Sequence, residues 1–148
     1  VASETLPGNT TRGDLPVQIL QPPNWPRPKG YSNGIAAEGR LVFTAGVVGW
    51  NAEEKWDYDD IVDQFRQTLM NTKAILAEAG AVPSHVVRMT WYITAKAEYL
   101  AKVREMGATY RDVFGYHFPA MAVVEVKALM EDRAKIEIES IAVIPHEK

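Results

Sequence analysis

Five stretches of this 148-residue chain carry a strand pattern and only two carry a helix pattern. That imbalance limits the possible fold more than any single motif does. The clearer helix spans 58–79: Ile61, Phe65, Leu69, Thr72 and Leu76 recur at three- and four-residue spacing, and Val62 and Ile75 widen the stripe. Asp57, Asp59 and Asp60 crowd its start, where free backbone amides favour acids, and Gly80 stands where a helix ends. The second helix is expected over 96–114, opened by Thr94, striped by Tyr99, Val103, Met106, Tyr110 and Val113, and stopped by Gly115. Strands are expected at 33–37, 40–48, 86–94, 121–129 and 135–144, rich in β-branched and aromatic residues. The turn "AEGR" makes the first two a hairpin, and Gly46 inside the second marks a bulge or a close backbone approach. The order β-β-α-β-α-β-β is an α+β fold in which two helices cover one face of a mixed sheet. The uncovered face needs a partner, and a second copy of the chain is the simplest one.

Six of the nine prolines fall within residues 1–28 (Pro7, Pro16, Pro22, Pro23, Pro26 and Pro28), which predicts an irregular arm. Its Leu15, Val17, Ile19, Leu20 and Trp25 call for packing against the body or a neighbouring subunit, which leaves 29–148 as a single domain. A chain that is 47% hydrophobic can build a core of that size. With no cysteine, disulfides, thiolate metal sites and a cysteine nucleophile are excluded. His85, His117 and His146 lack metal-ligand spacing, so no metal is expected. The net charge of −3 and the lack of a basic cluster argue against a nucleic-acid partner. No apolar run reaches membrane-spanning length. The first residues lack a charged start followed by an apolar segment, so they do not read as a signal peptide, and a cytoplasmic location is expected.

The last two strands carry carboxylates in apolar surroundings. Side chains alternate across a strand. On 121–129, Ala122, Val124, Val126 and Ala128 form one set, and Met121, Val123, Glu125, Lys127 and Leu129 the other. On 135–144, Ile136, Ile138, Ser140, Ala142 and Ile144 form one set, and Glu137, Glu139, Ile141 and Val143 the other. Placing the uniformly apolar or small sets under the helices sends Met121, Glu125, Glu137 and Glu139 together to the opposite face.

The stretches "YSNG" (31–34), "GRLVFTAG" (39–46), "QTLMNTKAILAEAGA" (67–81), "VVRMTWYIT" (86–94), "YRDVF" (110–114), "FPAM" (118–121) and "IEIESIAV" (136–143) give a stronger indication. In order and spacing they resemble the Rid (YjgF-type) family, over roughly three quarters of the chain. That resemblance implies a chorismate-mutase-like (AroH-type) subunit, three of which close into a barrel with the helices outside and active clefts between subunits. It implies cofactor-free hydrolysis of short-lived enamines and imines to keto acids and ammonia. The family also carries an endoribonuclease L-PSP label, and the acidic balance argues against that activity here.

By the same resemblance, Glu137 corresponds to the glutamate beside the attacking water, Tyr31 to a first-strand tyrosine and Gly46 to the strand glycine, flanked here by Ala45 and Val47. The family's carboxylate-gripping arginine directly follows "PA". In this chain that position is Met121, with Val123 two residues on and Gly107 in place of a helix asparagine. A thioether is at best a weak acceptor and cannot hold a carboxylate. The expected substrate is therefore a small molecule other than 2-aminoacrylate, and the alternative is a binding or regulatory relative without chemistry. Glu137 is the expected catalytic base. Tyr31, Gly46, Val47, His117, Met121, Val123 and Trp50 are the expected substrate contacts, His117 because an imidazole just ahead of "FPA" can replace some of the missing polarity and Trp50 as a cleft wall.

Overall fold

The computed structural model describes residues 17–147, together with the backbone pairing of β1 (Thr5–Leu6) with β2 (Thr10–Thr11). The rest of the expected arm before Val17 lies outside the described residues. From there the chain runs β3 (Val17–Leu20), β4 (Gly34–Ala37), β5 (Arg40–Phe43), β6 (Val47–Val48), α1 (Ile61–Glu78), β7 (Val86–Ile93), α2 (Lys96–Ala101), α3 (Val103–Phe114), β8 (Ala120–Glu125) and β9 (Ile136–Ile144). The result is an α+β fold. Its main sheet has the order β5-β9-β7-β8, with β6 also on β9. The β7–β8 pair is parallel, and the pairs made by β9 are antiparallel.

Helix α1 forms where its stripe demands. Asp60 caps it, its carboxylate accepting from the Val62 and Asp63 amides. Ile61, Phe65, Leu69 and Leu76 are fully buried against the sheet. Gln64, also fully buried, donates to the carbonyls of Tyr58 and Arg133 and accepts from the Lys135 amide. It ties the helix start to the approach to β9.

The expected hairpin does not form. The chain turns at Gly39, where a Cβ would collide with the Ile144 carbonyl, but β4 pairs with β3 and β5 pairs with β9. Two turn residues between apolar runs did not force pairing, because each strand found a longer-range partner. The expected strand 40–48 is broken. Phe43 faces Ile141 and Val47 faces Ile138, so four steps on one strand meet three on the other, a bulge that contains Gly46. The expected strand 121–129 stops at Glu125.

The expected helix 96–114 is two helices, divided at Lys102 (φ −113°, ψ 12°). Thr94 does not cap them. The Glu125 carboxylate accepts the Lys96 amide at 2.6 Å and serves as the cap from another element. Glu125→Ala should therefore lower unfolding stability by about 1 kcal/mol in urea titration, the usual worth of an N-cap.

The parity expected for β8 is also inverted. Met121 pairs beside Met89 and Val123 beside Trp91, and both partners lie buried under the helices. Met121 and Val123 thus pack on the core, while Ala122 and Val124 take the opposite face. Both sets were apolar, so alternation alone could not orient the strand; the register with β7 does. For β9 the expected parity holds: Ile136, Ile138, Ser140 and Ala142 are buried, and Glu137 and Glu139 face away from the helices. That open face also carries Leu41 and Phe43, 59% and 65% exposed. Among the described residues no helix is long and apolar enough to cross a membrane.

Candidate active site

A cleft of about 500 Å³ opens between α3, the bend at Gly30–Tyr31 and the first residues of β8. Ser32 builds its mouth. Its amide donates to the Pro119 carbonyl at 3.0 Å and its hydroxyl to the Phe118 carbonyl at 2.6 Å, which pins Tyr31 beside "FPAM". Met121 and Val123 line the cleft with Tyr31, and Trp91 forms part of its wall. Phe118 stacks on Tyr110 at 5.6 Å, and the Tyr110 hydroxyl donates to the His117 carbonyl at 2.6 Å. Burial pushes the Tyr99 and Tyr110 phenols up, so both stay neutral donors.

A second group assembles elsewhere on the chain. At the bulge, a methyl on Gly46 would collide with Glu137 Oε2, so the glycine is what lets this carboxylate lie against the backbone. Glu137 is half-buried and receives no hydrogen bond from the described residues. Its neighbour Glu139 differs: it accepts from the Tyr92 hydroxyl at 2.5 Å, and that bond pushes the Tyr92 phenol up.

The structure therefore brings Tyr31, Met121 and Val123 together, and separately Gly46 and Glu137. It does not bring the two groups together in one chain. Val123 lies on β8 under the helices and Glu137 on β9 on the opposite face, with β7 between them. Met121 and Glu137 thus lie on opposite faces of the sheet, not on the one face expected from strand alternation.

Three expected contacts fall differently. His117 places Nε2 2.6 Å from the Val86 carbonyl, where it donates as an N–H, so the ring fastens the loop before β8 to the start of β7 and does not line the cleft. Trp50 packs against Trp56 at 5.9 Å, and its carbonyl accepts from Asn71; it too lies outside the cleft. Val47 is buried opposite Ile138, which leaves only its backbone for any ligand.

Sequence reading missed Lys29, Tyr99 and Arg111, all of which line the cleft. The signal for Arg111 was its spacing four residues after Gly107, which puts both on one helix face. Among the described residues no group of three or more His, Cys, Asp or Glu side chains is placed to hold a metal ion.

Known proteins share this architecture. Residues 25–144 match the family model for endoribonuclease L-PSP. A RutC family protein of Pyrococcus horikoshii is 39% identical over 127 residues, covering 84% of this chain and 96% of that one. The 2-iminobutanoate/2-iminopropanoate deaminase of Escherichia coli is 35% identical over 116 residues, covering 76% and 86%. The solved structure of a Rid family protein from Yersinia pestis superposes with a TM-score of 0.75 at 31% identity, covering 88% of this chain and all of that one. The mixed sheet with helices on one face is the chorismate-mutase-like fold of these structures. By its sequence and by its fold, the chain belongs to the endoribonuclease L-PSP family, the YjgF/Rid/RutC group.

Proposed function

We propose that this protein is a cofactor-free hydrolase that deaminates a reactive imine or enamine, in clefts completed between copies of the chain in a homotrimer. The observation that carries the reading is Glu137, a half-buried carboxylate with no donor among the described residues, held against a glycine at a strand bulge. Such a group is free to take a proton. The relative from E. coli whose name records an imine deaminase supports the reaction class.

In this reading an enamine first takes a proton at carbon and becomes the iminium. Glu137 removes a proton from water as the oxygen bonds to the iminium carbon and the C=N π pair returns to nitrogen. Glu137 passes this proton to nitrogen and then takes the hydroxyl proton as the C–N bond breaks, so ammonia and the carbonyl product leave, and the carboxyl gives its proton back to solvent. The cleft of one copy holds the substrate while Glu137 of its neighbour supplies the base. The open face, with Leu41 and Phe43 uncovered by any helix, is the surface that brings copies together.

The test is keto-acid and ammonia release from imines generated in place by an amino-acid oxidase acting on a panel of amino acids. Release faster than in buffer for at least one imine is the expected result. No release from any of them by the intact oligomer would favour the reading as a binding protein, which Met121 in the gripping position otherwise supports. Met121→Arg should raise the rate on 2-aminoacrylate by at least about tenfold, since a charge-assisted pair to the substrate carboxylate contributes about 1.5–3 kcal/mol. A flat response would mean that cleft shape, not the missing cation, excludes this substrate.

A further inference from the structure

The geometry points to Arg111 as the carboxylate-holding residue of this cleft, and to an aromatic 2-imino acid, with its 2-oxo acid product, as the ligand class. This rests on the cleft being the substrate site proposed above. The cleft is lined by two cations, Lys29 and Arg111, and by no acid, in a chain whose net charge is −3. Neither cation has a hydrogen bond or ion pair among the described residues. Of the other cations around the helices, Arg66 pairs with Asp112, Arg133 with Asp59 and Lys135 with Glu98, while Lys96 and Arg104 are unpaired among the described residues. What sets Lys29 and Arg111 apart is that their charge lies at the cleft, with no acid beside it.

Gly107 explains where that charge sits. A Cβ at this position would lie 3.2 Å from Arg111 Nη1, so the guanidinium rests over the bare backbone of α3. A methyl at 107 would need the guanidinium to give by a few tenths of an ångström, and a longer side chain would displace it further. The flat fork of an arginine suits a carboxylate, which it grips with two parallel bonds.

The rest of the cleft suits an aromatic body. Trp91, Tyr99, Tyr110 and Phe118 contribute ring surfaces, and Met121 supplies a deformable apolar side chain. A cleft of about 500 Å³ is large for a three- or four-carbon acid and fits a ligand with a ring.

Binding to the full-length protein, followed by calorimetry, tests this without requiring turnover. Phenylpyruvate should bind, while pyruvate, which lacks the ring, and phenylacetone, which lacks the carboxylate, should each bind at least about tenfold more weakly. Arg111→Gln should raise the Kd for phenylpyruvate by about tenfold or more and leave phenylacetone unchanged. Arg111→Lys, which keeps the charge but not the fork, should fall between. Unchanged phenylpyruvate affinity in Arg111→Gln, equal affinity for pyruvate, or no saturation by phenylpyruvate would each overturn the inference. If binding depends on Arg111 but no imine is hydrolysed, the deaminase reading falls and this one stands. If imines are hydrolysed and Arg111→Gln changes neither binding nor rate, the reverse holds.

Discussion

Glu137→Gln is expected to slow imine hydrolysis by about 10²- to 10⁴-fold, the range supplied by a positioned general base. The amide has nearly the shape of the carboxylate but cannot take the proton from water. Stability should hardly move, because Glu137 receives no hydrogen bond from the described residues and the substitution breaks none. Ligand affinity should also survive, since the cleft residues Tyr31, Met121 and Arg111 lie on other elements. Kinetics on the best imine of the panel, with thermal unfolding alongside, check both halves. Gly46→Ala acts on the same group by another route. Its methyl would occupy the space of Glu137 Oε2, so the carboxylate must swing away and the rate should fall without any change in ionisable groups. An unaltered rate in both variants would remove Glu137 from the chemistry.

The double substitution Leu41→Asp/Phe43→Asp is expected to give a folded monomer with no measurable deaminase activity. Leu41 and Phe43 point away from the helices, 59% and 65% exposed, and Phe43 pairs opposite Ile141. Covering an apolar side chain of this size contributes about 1.5–3 kcal/mol. Each copy repeats the contact, and two carboxylates on the same face would have to be buried without partners. The core beneath, built from Phe65, Met89, Trp91 and Ile138, is untouched. Light scattering should report one chain per particle, and the far-ultraviolet spectrum should match the parent. An active monomer would show that the open face is not where the site is completed.

The sequence made some of this molecule legible for reasons that can be named. Helix α1 was readable because five apolar or small positions keep one period through it. The bulge at Gly46 was readable because a glycine within a strand pattern has few other uses. The face of Glu137 was readable because β9 alternates strongly between isoleucine and glutamate. The failures share a cause: each depended on a partner distant in the chain. The "AEGR" hairpin opened because β3 and β9 offered longer pairings. Strand β8 is apolar on both faces, so only its register with β7 fixes where Met121 points. Glu125, in an apolar strand, became explicable once α2 was found to start on it. His117 and Trp50 had suitable chemistry, but a carbonyl of β7 and the ring of Trp56 claimed them. Arg111 gained meaning only when α3 was seen to present it, over Gly107, to the cleft.

A site shared between copies carries a consequence that a site within one chain does not. Glu137→Gln spoils the base, and Met121→Trp fills the cleft; each variant alone should be inactive. Produced together with different tags and purified as mixed trimers, they should recover up to about a third of the parent activity, because one site of the three in each mixed ring then joins an intact cleft from one copy to an intact Glu137 from its neighbour. Mixed oligomers that stay as inactive as either variant alone would contradict the shared site.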